Sequence, residues 1–155
     1  MMFFENEAIL EKALKSFLAE HGTHLGLVSP EVPLISNLPV WSNIALIRQY
    51  HENMPVEAAR KFVLGLLKRF DMTGIADQRT SSLENDELFC AMLIRAAMVR
   101  DAVVVLDRPF RILPHDRDGC FLMDSLRKID DLIAEVHIFD YTWEKGRYGT
   151  DGAAD

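Results

Sequence analysis

Residues 81–113 read SSLENDELFCAMLIRAAMVRDAVVVLDRPFRIL, and this stretch decides the fold. It passes from small, capping and acidic residues through an amphipathic segment into an unbroken apolar run. Ser81 as a cap with Glu84 three residues on is a capping-box spacing, and Leu88, Met92, Leu93, Ala96 and Ala97 follow the helical period. Ala102 to Leu106 contains three β-branched valines and is too short for a globular helix. Such a run is typical of a strand covered on both faces. Pro109 ends it. Ligands of open parallel sheets sit beyond the carboxyl ends of the strands, so Asp107 and Arg108 stand where chemistry would be found.

Working outward, Asn6 to Glu20 predicts a helix with Leu10, Leu14, Phe17 and Leu18 on one face. His24 to Val28 is a short strand candidate, broken by Ser29-Pro30 and Pro33. Trp41 to Tyr50 and Pro55 to Phe70 predict two further helices, the second begun by a proline whose missing N–H costs nothing there. Beyond the central stretch, Phe121 to Leu132 predicts a helix and Ala134 to Phe139 a strand. Strand, helices, strand, helix, strand is an α/β order that favours parallel pairing. The expectation is one domain over residues 1–140, with a helical subdomain at about 41–98 and a mobile tail over 141–155.

Three spaced motifs carry a family resemblance. Leu83-Glu84-Asn85-Asp86-Glu87, then Ile94-Arg95-Ala96, then Val104-Val105-Leu106-Asp107-Arg108-Pro109-Phe110 resemble the LSGGQ signature, the ARA segment and the Walker B strand of ABC transporter nucleotide-binding subunits. Gly26-Leu27-Val28, Leu34 and Leu38 to Leu46 resemble that family's Q-loop strand and the TVxENIAL segment after it. The resemblance covers about Gly26 to Asp140 and implies a truncated P-loop NTPase core, with a small parallel sheet plus the helical subdomain. It places the strands ending in the Q-loop, Walker B and switch segments side by side, with the Walker A strand outside. Three contiguous strands then remain, and an exposed edge needs cover from the Asn6 to Glu20 helix or another chain.

The framework matches the family, and the chemistry departs from it. Phosphate binding there starts with GxxxxGK[ST], whose N–H groups and lysine cradle phosphate, and this sequence contains no Gly-Lys pair. The Q-loop glutamine aligns with Pro30, the D-loop aspartate with Pro114 and the switch histidine with Asp140. Glu84, Asp86 and Glu87 fill the signature helix terminus and would repel a triphosphate by about 1 to 4 kcal/mol per close pair. Arg108 replaces the general-base glutamate and cannot accept a proton from water. It is expected to pair with Asp107 or another carboxylate.

The resemblance therefore implies a catalytically inactive accessory or regulatory subunit, with no cofactor. Its partner would be a transporter membrane subunit, an ABC ATPase-like subunit or a second copy. Leu34, Leu38, Val40 and Trp41 match the groove that receives the transporter, and plain core packing explains them equally well. The alternative is a self-associating interaction module unrelated to transport; a weak ATP-binding protein is the third reading.

Composition supports these exclusions. A formal charge of -7 and a pI near 5.2 disfavour nucleic acid as a partner. Cys90 and Cys120 lack CxxC spacing and are expected to be reduced and buried, in keeping with a cytoplasmic protein. No run reaches the roughly eighteen apolar residues of a membrane span, so membrane association would be peripheral, through a partner. The histidines show no metal-ligand spacing, and Glu20, His21 and His24 read as a solvated helix end.

Overall fold

Four parallel strands form the sheet, in the order β1-β4-β3-β2: β1 (Met2–Phe4), β2 (Leu25–Val28), β3 (Ala102–Asp107) and β4 (Ile133–Tyr141). The structure is a computed structural model that describes residues 1–149. Among the described residues are five α-helices: α1 (Glu7–His21), α2 (Val40–Glu52), α3 (Val56–Arg69), α4 (Asn85–Ala96) and α5 (Cys120–Lys128). No described helix is long and apolar enough to cross a membrane.

The valine run of β3 lies between two apolar layers, which is why it carries no polar alternation. Val105 faces α1 with Leu10, Leu14 and Phe139, whereas Val104 and Leu106 face α4 and α5 with Phe89, Leu93 and Leu122. All of these residues are buried. Gly26 is obligatory for the second layer, because a Cβ on this β2 residue would run into the Ala96 carbonyl at the end of α4.

Four expectations are corrected. The sheet has a fourth strand, since Met2–Phe4 pairs with Phe139–Tyr141 and covers part of the β4 edge. Three residues carry no readable periodicity, so the sequence hides it. The cap of α4 is Glu84 rather than Ser81, which lies in the 3-10 turn Thr80–Ser82; Glu87 Oε1 accepts from the Glu84 N–H at 2.9 Å. Cys90 is buried and its thiol is pushed up to about 12 by desolvation, but Cys120 is exposed at the start of α5.

The fourth correction concerns the expected mobile tail. Tyr141 ends β4, and Thr142–Tyr148 forms a 3-10 segment that returns to the core. Tyr148 is buried edge-on to Phe3 and tilted on Phe110, with ring centroids 5.5 and 4.9 Å away. The Arg147 guanidinium lies 4.1 Å from the centre of the Phe110 ring and donates to the carbonyls of Pro114 and Asp116. The rest of that tail, 150–155, lies outside the described residues.

Candidate functional site

The carboxyl ends of β2, β3 and β4 bring Ser29, Asp107, Arg108, Asp140 and Tyr141 to one edge of the sheet. Asp107 and Arg108 are 1% and 2% exposed, so both charges are answered inside the protein. The Ser29 hydroxyl donates to Asp107 Oδ2 at 2.6 Å. Arg108 donates from Nε to Asp107 Oδ1 at 2.7 Å and from Nη2 to Oδ2 at 3.2 Å, a two-pronged contact between neighbours in sequence. Such a contact needs a turned backbone, and Arg108 has φ 45 in the left-handed region. Its amide still donates to the Phe139 carbonyl at 2.8 Å.

Three further groups enclose this cation. Arg108 Nη1 donates to the Tyr141 hydroxyl at 3.2 Å and lies 3.6 and 3.8 Å from the Glu7 and Glu11 carboxylates of α1. Burial works against the charge, but the hydrogen bonds to Asp107 and Tyr141 outweigh it and hold the guanidinium above its ordinary value. Two small clefts remain beside the cluster: one of about 250 Å³ between α1 and the loop after β2, and one of about 260 Å³ lined by Arg108, Arg111, Asp140, Tyr141 and Glu144. The first is lined mainly by apolar side chains, Leu14, Leu18, Leu27 and Val32, with Glu11, Lys15 and Glu31 around them.

Asp140 turns away from this cluster. Its carboxylate accepts from the Tyr141 N–H and the Tyr148 hydroxyl, and burial pushes its pKa up against both hydrogen bonds. Burial and Asp140 push the Tyr148 phenol up in turn. The switch-like aspartate thus serves as the tether of the Thr142–Tyr148 segment. Pro114 is exposed, and its carbonyl is held by Arg147.

The signature-like residues stand apart. Leu83 precedes α4, Glu84 caps it, and Asn85, Asp86 and Glu87 form its first turn. No hydrogen bond or ion pair among the described residues joins these five to Asp107, Arg108 or Asp140. Pro30 follows Ser29 in the loop, and this loop is pinned from two helices. Arg95 donates to the carbonyls of Val32 and Pro33, while the Asn43 amide exchanges two hydrogen bonds with the Ile35 backbone. The ARA-like arginine and the asparagine of the segment after the Q-loop position are therefore fasteners of the fold.

The core-packing alternative accounts for two of the four residues matched to a partner groove. Leu34 and Val40 are 4% and 1% exposed and belong to the core, whereas Leu38 and Trp41 are half-buried. The apolar surface nearby comes from exposed Val32, Ile35 and Leu46. No group of three or more potential metal ligands occurs among the described residues. Ser29, Tyr141, Glu7 and Glu11 escaped the sequence reading. The i,i+4 spacing of the two glutamates was its one visible signal, and it does not say what they face.

No family model and no curated protein matches the chain. Among solved structures it is similar to a dimeric post-hydrolysis state of the ATP-binding cassette MJ0796 bound to ADP and Pi. That match has 22% identity and a TM-score of 0.56, covering 76% of this chain and 52% of the other. A second dimeric structure of MJ0796, a bacterial ABC transporter cassette, has 24% identity and a TM-score of 0.56, covering 74% and 51%. The likeness defines the fold class: a truncated ABC ATPase-like α/β core. The chain spans about half the length of these cassettes.

Proposed function

We propose that this chain is a catalytically inactive ABC ATPase-like protein that acts by binding another protein, as an accessory or regulatory subunit of a transporter. The observation that carries the reading is the closed Ser29–Asp107–Arg108 cluster. A divalent cation needs free, ionised oxygen ligands, and Asp107 already accepts three hydrogen bonds while Arg108 supplies its counter-charge. A guanidinium cannot take a proton from water, so the position after the strand aspartate offers no general base.

The start of the chain points the same way. β1 takes an outside place in the sheet, and only Glu5 and Asn6 separate it from α1, far short of a G-x-x-x-x-G-K-[ST] span. Asn6 caps the helix itself, accepting from the Ile9 N–H at 3.0 Å. Half-buried Leu38 and Trp41, with exposed Val32, Ile35 and Leu46, provide the apolar contact for a membrane subunit. That subunit would hold this chain peripherally on the cytoplasmic side. Titration calorimetry with Mg²⁺ and ATP tests the inactive site: no heat is expected for the wild type or for Arg108→Glu. Binding by the wild type would sink the reading.

Self-association is the second reading, and one feature favours it. β1 pairs with only Phe139–Tyr141, which leaves the outer edge of β4 from Ile133 to Ile138 without a strand partner among the described residues. The similar cassettes are dimers. Light scattering that shows a concentration-independent monomer would remove this reading.

A further inference from the structure

The amino end of the sheet carries a second cleft, about 550 Å³ in volume and within the usual range for small-molecule sites. Three separate segments build it: the start of β2, the carboxyl half of α2 and the connection from α4 to β3. They are tied to one another by hydrogen bonds. Arg48 Nε donates to the Met98 carbonyl at 2.7 Å, His24 Nδ1 to the Arg100 carbonyl at 3.2 Å, and Arg100 Nε to Glu52 at 2.6 Å. The cleft is thus pre-formed, which lowers the ordering cost of binding.

Its chemistry is that of an amphiphile's complement. Leu25, Ile47 and Val99 supply an apolar floor over the buried Met98. Above the floor, two guanidiniums face one carboxylate, an excess of positive charge in a chain of formal net charge -7. Glu52 is ionised here, because the hydrogen bond from Arg100 lowers its pKa. It engages Arg100 through Nε alone, so the outer edge of that guanidinium makes no hydrogen bond among the described residues. A planar donor edge of this kind suits a carboxylate. His51 lines the same rim and adds a ring N–H.

From this geometry we infer that the cleft binds a small monocarboxylate with an apolar body, its chain on the floor of Leu25, Ile47 and Val99 and its head on Arg100 and His51. The site is independent of the Asp107 edge and of the reading proposed for it. The test uses the full chain and 8-anilinonaphthalene-1-sulfonate as a fluorescent apolar anion, displaced by decanoate or by uncharged decanol. Saturable one-to-one binding is expected, with displacement by decanoate at concentrations at least tenfold below those of decanol. Arg100→Gln combined with His51→Gln, both at exposed positions, should weaken decanoate at least tenfold and leave the far-ultraviolet circular dichroism unchanged. Amide shifts confined to the cleft, at Leu25, Ile47, His51, Val99 and Arg100, would place the ligand. Non-saturable binding, equal displacement by decanol, or a double variant that binds decanoate as the wild type does would each overturn the assignment.

Discussion

At the carboxyl end of the strands Arg108 is 2% exposed and enclosed by Asp107, Tyr141, Glu7 and Glu11, whereas at the amino end Arg100 is 73% exposed and meets Glu52 alone. Both arginines pair with a carboxylate, yet the energetics differ. A buried pair has had its hydration removed, so each member depends on the other, while an exposed pair keeps water as an alternative partner. At the edge where an α/β fold ordinarily receives ligands, the charged groups are here answered by its own side chains. The opposite edge keeps donors and apolar surface free.

The largest expected effect comes from breaking the closed edge. Arg108→Ala leaves the Asp107 carboxylate buried with only Ser29 as a donor. Loss of one member of a buried pair costs about 3–5 kcal/mol, read as a shift of the urea midpoint. A loss below about 1 kcal/mol would mean that water enters the cluster and that the two edges do not differ as described.

Gly26→Ala comes next, because it disturbs the contact that holds α4 against β2 between the two edges. The clash is with the Ala96 backbone carbonyl, which no side-chain rotation can relieve. Overpacking of this kind costs about 1–3 kcal/mol, and α4 must shift with its loop anchor Arg95. Unchanged thermal stability would show that the α4–β2 contact is looser than its geometry.

Asp140 gives a pH-dependent difference between the edges. Burial raises its pKa in the folded state, so its stabilising contribution is full below the ordinary carboxylate value and is lost as pH rises through the folded value. Asp140→Asn keeps an acceptor for the Tyr141 amide and removes the titration. Urea unfolding from about pH 4 to about pH 7 should show the wild type losing stability relative to Asp140→Asn. A difference that stays flat over that range would mean that Asp140 is not held above its usual value.

The α/β class, the buried strand ending in Asp107 and the Asp107–Arg108 pair were legible because each rests on local chemistry: a valine run, a proline stop, opposite charges side by side. β1 was not, since three residues show no period and its pairing with Phe139–Tyr141 spans nearly the whole chain. The ordered return of Thr142–Tyr148 was hidden for a related reason. Its glycine and charged residues read as a tail, but Tyr148 and Arg147 find Asp140 and Phe110 only after β4 is in place. Ser29 lay beside the break that the prolines mark, with nothing local to indicate a carboxylate 78 positions away.

Arg100→Gln should have the smallest effect on folding, and that makes it the sharpest probe of the open edge. Its pair with Glu52 is solvated on the arginine side, and Arg48 stays 3.6 Å from the same carboxylate, so Glu52 keeps a cation. Exposed pairs contribute little, and the urea midpoint should stay close to that of the wild type. A ligand head on the outer edge of Arg100 would lose its charged, two-pronged donor in the same variant. Stability and binding therefore separate at this residue, whereas at Arg108 they cannot, because that guanidinium already serves as an internal ligand of the fold.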